Sequence, residues 1–353
     1  MTILIFILVL SILIFVHELG HFFIAKKMGV RVDEFGFGLP PRLFGKKIGE
    51  TLYSLNLIPL GGFVKLYGEE HHEIKNKSNI RHAFINKKPW QKTLIIIGGV
   101  VGNFLLGWVI ISFLFTQGVP VPIKKIIVNK ISKGSPADIS GLKEKDEILK
   151  MIAKGLSINL TTTDDLTTLT KKYAGNSISL FVKRGDKFIT INVIPRKKPP
   201  VNEGPLGISI SSYVIKKYPW YKAPVYGLIE SLRIIKTIVI ELSKTLYQLV
   251  TFQKVKVEVA GPIGIVRFAG SAVKSGANAV LELLALLSFN LGVINIFPFP
   301  ALDGGRLIFV LFEWITNKKI NKNFEKYVNA FGLIILLFLG ILISINDVLK
   351  LFK

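Results

Sequence analysis

The chain contains no cysteine. Disulfides and thiolate ligation are therefore excluded, and any metal must be held by His, Asp or Glu. Acid is also scarce: 23 Asp and Glu stand against 46 Lys and Arg, a formal charge of +23. Histidine is scarcer still, with five in 353 residues. An ionisable group inside an apolar stretch is thus a rare event in this chain. Apolar length is what the chain has in plenty. Half of its residues are hydrophobic and the mean hydropathy is +0.48. That is high for a soluble protein and implies several bilayer spans joined by water-facing segments. The lysines flank apolar stretches and form no base-reading motif. They read as attraction to anionic headgroups, so the lipid bilayer is an expected partner and nucleic acid is not.

Four spans are predicted, at about Ile3–Ile24, Leu94–Phe115, Val280–Phe297 (resuming after a break to about Phe312) and Ala330–Ile345. Lys26, Lys27 and Arg31 follow the first. Lys87, Lys88 and Lys92 precede the second, and Arg306, Lys318, Lys319 and Lys322 follow the third. The positive-inside rule makes these clusters cytoplasmic and both termini extracytoplasmic. The first apolar run has no basic residue before Lys26 and no small-residue cleavage site, so it reads as a span and not as a cleaved signal. Between Val119 and Arg196, strand-like runs (Ile126–Val128, Ile178–Val182, Phe188–Val193) alternate with turn signals and one helical run, Asp164–Tyr173. This predicts a separate α/β domain ended by a Lys197-Lys198-Pro199-Pro200 linker. The expected organisation is a membrane part over 1–118, an inserted domain over 119–200, a linker and amphipathic helix over 201–278, and a second membrane part over 279–353. Ala223–Thr251 has one apolar face and suits a helix lying in the membrane interface, with a fifth span as the rival reading.

The first span carries His17-Glu18-Leu19-Gly20-His21, an H-E-x-x-H pattern. On a helix, positions i and i+4 share a face, so both imidazoles can reach one metal ion. Glu18 beside them can act as general base toward an activated water. Ionisable side chains at membrane depth cost roughly 2.5–3.5 kcal/mol each on insertion scales. Three within five residues call for compensation, and bound Zn2+ supplies it. Two histidines leave a catalytic zinc one protein ligand short. Asp303 is the best candidate, because Glu282 and Glu313 lie toward the ends of the third span. Pro298 and Pro300 break the helix before it, and Gly304 and Gly305 allow close backbone approach after it. A helix-capping aspartate is the plain alternative. Topology adds a constraint. If His17 and Asp303 meet, spans one and three run parallel, which needs an odd number of spans between them. Span two alone satisfies this.

HELGH together with NIFPFPALDGG resembles the site-2 protease family of intramembrane zinc metalloproteases, in its bacterial regulator-of-sigma-E branch. GFGLPP and IPLGGFVKLYGE are similar to the family's membrane re-entrant β hairpin, Gly98 to Asn103 to its second-span entry, and GSPADISGLKEKDEIL to its PDZ domain. The resemblance implies a polytopic α-helical membrane protein with four transmembrane helices, a re-entrant β hairpin and one inserted α/β PDZ-like domain. It implies that His17, His21 and Asp303 bind zinc, that Glu18 activates water, and that Asn295 holds the substrate strand or polarises its carbonyl. Pro298 and Pro300 in the same motif, Gly36 and Gly38 in GFGLPP, and Leu55 and Leu57 in the following strand are the expected substrate-binding residues. An open hairpin edge near Leu55–Leu57 could accept an unwound substrate segment as an added strand. Lys145-Asp146 and Ala153-Lys154-Gly155 depart from the family's usual Gly-Asp and Asn-Gly, which puts the PDZ groove in question.

The implied activity is cleavage of single-span transmembrane segments, of anti-sigma-factor or signal-peptide-remnant type, after their extracytoplasmic part has been trimmed. The implied location is the bacterial inner membrane. The PDZ-like domain would act as a size filter or capture free carboxylates. Two rivals come from other classes. A non-catalytic scaffold with structural zinc has no use for Glu18. A metal transporter needs further His or Asp in spans two and four, whose apolar interiors contain none. His71, His72 and His82 fall in a polar loop and are expected to be solvated.

Overall fold

A computed structural model describes residues 2–69, 77–200, 203–251, 253, 261–318 and 320–349. His71, His72 and Lys319 lie outside the described residues. The chain divides into two compact units, 117–218 and the remainder.

The larger unit begins with α1 (Thr2–Lys27), β1 (Val32–Ile48), β2 (Thr51–Leu66) and α2 (Pro89–Gln117). α1 is apolar all round and reaches the length of a bilayer. It crosses α2 at glycines. A Cβ on Gly20 would stand 2.1 Å from the Gly98 carbonyl oxygen, and one on Gly102 would stand 2.7 Å from the Val16 oxygen. Between membrane helices no hydrophobic force drives association, so close backbone approach through small residues supplies the contact.

β1 and β2 bend. Glu34–Phe37 is flanked on one side by Lys65–Gly62, running oppositely, and on the other by Leu52–Leu55. The outer stretch Arg42–Ile48 then pairs with Asn56–Thr51. The two long strands therefore fold into four ranks, with Gly62–Leu66 at one edge and Arg42–Ile48 at the other. Pro40, Pro41 and Pro59 stand at the bends, where missing N–H donors cost no pairing. This sheet packs along α1 through Phe15, Phe22, Phe35, Phe37 and Tyr53.

The smaller unit contains β3 (Val119–Ile131), α3 (Pro136–Ile139), β4 (Glu147–Ala153), β5 (Leu156–Asn159), α4 (Thr163–Lys172), β6 (Ile178–Arg184), β7 (Lys187–Val193) and β8 (Ile208–Lys216). Its antiparallel sheet runs β7-β6-β4-β3-β8, with β5 folded back onto β4. Alternation builds its core. Ile178, Leu180 and Val182 of β6, and Ile191 and Val193 of β7, point inward with Ile126, Val128, Ile148, Met151 and Leu166. α4 opens on a capping box between Thr162 and Asp165. Asp146 is fully buried and takes two hydrogen bonds from Arg184, both at 2.7 Å.

β8 corrects the expected domain limits. It lies beyond the Pro199-Pro200 linker, yet pairs with β3 from Val119↔Lys216 to Ile131↔Ile208. The prolines turn the chain outside the sheet and do not end the domain. The region 201–278 is accordingly not one linker segment. It supplies β8 to the smaller unit and two helices to the larger.

The larger unit resumes with α5 (Ala223–Val250), α6 (Pro262–Ser275), α7 (Ala277–Ile296), α8 (Asp303–Thr316) and α9 (Lys322–Leu349). α1, α2, α7 and α9 are long and apolar enough to cross a membrane, and among the described residues no other helix is. α5, with a charged face, is not one of them. Its first turn is tied to α2, since Trp108 Nε1 donates to Pro224 O at 2.9 Å. α6 has Pro262 at its first position, and its Gly264 N–H is accepted by Asp347 of α9 at 2.8 Å.

Candidate active site

His17 and His21 leave the same face of α1 one turn apart, and their Nε2 atoms are 3.2 Å apart. Asp303, the first residue of α8, brings Oδ2 to 2.9 Å from His17 Nε2 and 3.2 Å from His21 Nε2. The three donors fall within 4.8 Å of one another. Both histidines are buried and Asp303 is nearly so.

The local sequence explains how a residue so distant arrives there. α7 ends at Ile296, and Pro298 and Pro300 cannot continue it. Ala301 turns the loop with φ 71°, and its N–H is held by Asn329 Oδ1 at 3.2 Å. α8 then restarts against the loop. A Cβ at Gly304 would lie 2.1 Å from the Phe297 oxygen, and one at Gly305 would lie 2.4 Å from the Phe299 oxygen. His17 meets both Asp303 and Asn295, near the end of α7. α2 is the one candidate span between α1 and α7 among the described residues.

α2 sets the imidazole orientations. His21 Nδ1 lies 2.8 Å from the Ile95 carbonyl oxygen. A carbonyl only accepts, so Nδ1 carries the proton and Nε2 turns a lone pair inward. His17 Nδ1 lies 3.2 Å from Asn103 Nδ2, while the buried Asn103 Oδ1 has no partner. Turned by half, that amide would set Oδ1 to accept from His17 Nδ1–H and leave His17 Nε2 an inward lone pair. Gly99 makes room for the rings, since a Cβ there would sit 2.5 Å from His21 Nε2 and 2.6 Å from His17 Cε1. Two imidazole nitrogens and one carboxylate oxygen, with His21 Nδ1 already held by a carbonyl, are a donor set that fits a catalytic zinc with a position left open.

Glu18 points to the other side. Its Oε2 accepts the Val64 N–H at 3.1 Å, at the edge rank Gly62–Leu66 of the membrane-unit sheet. Asn295 brings Nδ2 to 3.2 Å from His17 Nε2, beside the tripod.

The remaining expected residues are placed less simply. Pro298 and Pro300 form the loop that delivers Asp303, and Pro300 seats Gly332 of α9, where a Cβ would come within 2.4 Å. Gly36 and Gly38 are buried inside the sheet, crowded by Phe63 and by the Ile58 oxygen, so neither presents a surface. Leu55 and Leu57 have exposed side chains, but Leu55 is flanked by Phe37 and Phe44. The expected open edge at Leu55–Leu57 is therefore closed there by the outer rank, which the sequence reading did not recognise as a strand. Among the described strands, the outermost rank next to Glu18 is Gly62–Leu66. His82 sits against the Gly29 carbonyl at 3.1 Å, away from the tripod.

Sequence reading assigned no site role to Asn103, Gly99 or Ile95. Asn103 had a signal, as the one amide side chain inside the apolar stretch of α2. Ile95 had none, because it acts through its backbone oxygen.

A model of Peptidase family M50 matches residues 5–339. A Clostridium perfringens protein is 35% identical over 97% of this chain and 97% of its own length. The zinc metalloprotease RasP of Shouchella clausii is 28% identical, with all of both chains covered. The regulator of sigma-W protease RasP of Bacillus subtilis is 27% identical over 99% of each. A family match along nearly the whole chain, meeting a buried two-histidine, one-aspartate tripod with a glutamate beside it, identifies the chain as a zinc metalloprotease of Peptidase family M50, the site-2 protease family.

Proposed function

We propose that this chain cleaves single-span transmembrane segments within the bilayer, with His17, His21 and Asp303 as zinc ligands and Glu18 as general base. The observation that carries this is the position of Glu18. It accepts the Val64 N–H on the outermost rank of the sheet beside the tripod.

Bound at the tripod, zinc would acidify a water and polarise the scissile carbonyl. Glu18 takes the water's proton and returns it to the leaving amine. Asn295 donates from Nδ2 to the carbonyl oxygen as negative charge develops there. A transmembrane substrate hides its amides in intrahelical bonds and must unwind to be cut. The unwound segment lies along Gly62–Leu66 as an added strand. The Val64 N–H, held by Glu18 in this structure, marks where such pairing meets the site.

The sheet is read as re-entrant. In support, the Ser11 hydroxyl donates to Pro59 O, and Gly61 seats Ile14, midway along α1. Non-helical backbone at that depth is tolerated only against protein or a water-filled cavity. The bacterial inner membrane is the proposed location, with both termini and the smaller unit extracytoplasmic and α5 in the interface. The smaller unit is read as a PDZ-like domain. Lys145 at φ 70° and Lys154 at φ 51° keep the left-handed backbone for which the family uses Gly and Asn, so the departures leave these turns in place. Its proposed role is to reject substrates with bulky external parts. Chains of anti-sigma-factor or signal-peptide-remnant type, already trimmed, are the proposed substrates.

The test uses a single-span reporter in detergent. Glu18→Gln is expected to keep zinc while cleavage falls by about 10²–10⁴-fold, the usual contribution of a positioned base. Turnover at the wild-type rate removes Glu18 from that role. Deleting 117–218 is expected to admit reporters with long ectodomains. Continued rejection of them ends the filter reading.

A further inference from the structure

α8 delivers Asp303, yet little of α8 is packed: its buried residues are Gly304, Gly305 and Val310. Near its far end stands Glu313, whose Oε2 lies 3.1 Å from Lys92 Nζ of α2. Lys92 is 6% exposed and also lies 6.0 Å from the centre of the Phe84 ring. Neither charge suits its own helix. Lys92 is in the first turn of α2, the positive end of the helix dipole, and Glu313 is in the last turn of α8, the negative end. Burial adds a desolvation cost to both. Local helix stability therefore does not explain the pair. What it does is join two helices.

Those helices have complementary duties. Lys92 lies one turn before Ile95, whose carbonyl fixes His21, and the same helix carries Asn103 and Gly99. Glu313 lies ten residues after Asp303 on one uninterrupted helix, about 15 Å along its axis. A second tie, Arg306 to Glu69, fastens α8 near Asp303 to the chain leaving β2. We infer that the part-buried Lys92–Glu313 ion pair is a positioning clamp for the metal centre, setting the depth of Asp303 against the helix that orients the two histidines. This rests on the tripod being the zinc site.

The test measures zinc retention against a competing chelator, on full-length protein purified in detergent and carrying Glu18→Gln, so that the readout is independent of proteolysis. Lys92→Met and Glu313→Gln are each expected to weaken retention by about tenfold or more, the range seen when groups behind metal ligands are lost. Lys92→Arg is expected to retain zinc as the parent does. The exchanged pair Lys92→Glu with Glu313→Lys is the deciding variant. It places each charge at the helix end that favours it, so a purely local role would raise thermal stability without mending the metal site. A clamp predicts retention restored to within about threefold of the parent, against a loss of about tenfold or more in each single variant. Parent-like retention in both single variants overturns the inference, as does an exchanged pair no better than the worse single. If Lys92→Met fails to accumulate, the near-isosteric Glu313→Gln carries the test. A wild-type enzyme that holds zinc but cuts no reporter would sink the protease reading alone.

Discussion

The two sheets of this chain are built in different ways. In the smaller unit, side chains alternate inward and outward, the apolar ones meet in one core, and the strands are fixed by that burial. In the sheet of the larger unit, glycine and proline are frequent, and exposed apolar side chains occur on its outer rank, as at Leu43 and Phe44, and on the strand beside it, as at Leu55 and Leu57. Its edge at Gly62–Leu66 offers an N–H to Glu18. In water, an uncovered edge is an aggregation hazard that proteins blunt. At membrane depth it is costlier still, because no solvent satisfies it. Under the proposed reading, with the sheet re-entrant and Glu18 the base, this outer rank is a place for the substrate's own backbone.

The sharpest way to break that contrast is to remove one donor. Val64→Pro deletes the N–H at the edge and is expected to lower reporter cleavage by about 10–100-fold, as for loss of one charge-assisted hydrogen bond of about 1.5–3 kcal/mol. Zinc content should stay at the wild-type level, and Val64→Ala should cleave normally. A Val64→Pro enzyme cutting at full rate would show that the edge is not where substrate pairs. The matching change in the other sheet is Leu166→Ala, which empties a fully buried site on α4. It is expected to destabilise the smaller unit by about 2–5 kcal/mol, read from hydrogen exchange in the full chain, while the rate on a short reporter is kept. Loss of short-reporter cleavage would mean that the smaller unit does more than filter.

The same contrast governs what was legible. The H-E-x-x-H spacing, the broken third span and the parity of the helices point to His17, Glu18, His21 and Asp303, because each is a rare polar group in an apolar run. The four spans are readable for the converse reason. The strands β4 and β8 were not foreseen. β4 reads Glu-Ile-Leu-Lys-Met-Ile-Ala, a composition equally suited to a helix, and β8 follows a double proline. Arg42–Ile48 was missed because it pairs within a sheet whose apolar residues face both ways, so no alternation marks it. Lys92 and Glu313 were visible as charges near span ends, where lysine and glutamate are ordinary. Only their 3.1 Å contact across helices distant in sequence gives them a role.

The mildest perturbation tests the water-facing end of the comparison. Asp165 caps α4 by accepting hydrogen bonds from Thr161 and Thr162, at 3.2 Å and 2.9 Å from their backbone nitrogens. The Thr162 hydroxyl first, and then these backbone N–H groups, favour the ionised form and hold its carboxyl below the usual aspartate value. A carboxyl whose folded pKa is depressed contributes stability that is fully present above its unfolded value, about 3.9. That contribution is lost as pH falls through the lower folded value. Amide exchange over 162–173 in the full chain should therefore quicken as pH drops below about 4, beyond the intrinsic pH effect on exchange. In Asp165→Asn the helix should exchange faster at neutral pH and lose that extra acid sensitivity. Equal profiles in the two proteins would remove the cap from the account. The capping bonds are exposed, so water can replace them, and the change should remain confined to α4. If the sheet is re-entrant as proposed, the Val64 N–H beside Glu18 has no such substitute, and its loss is expected to reach the chemistry.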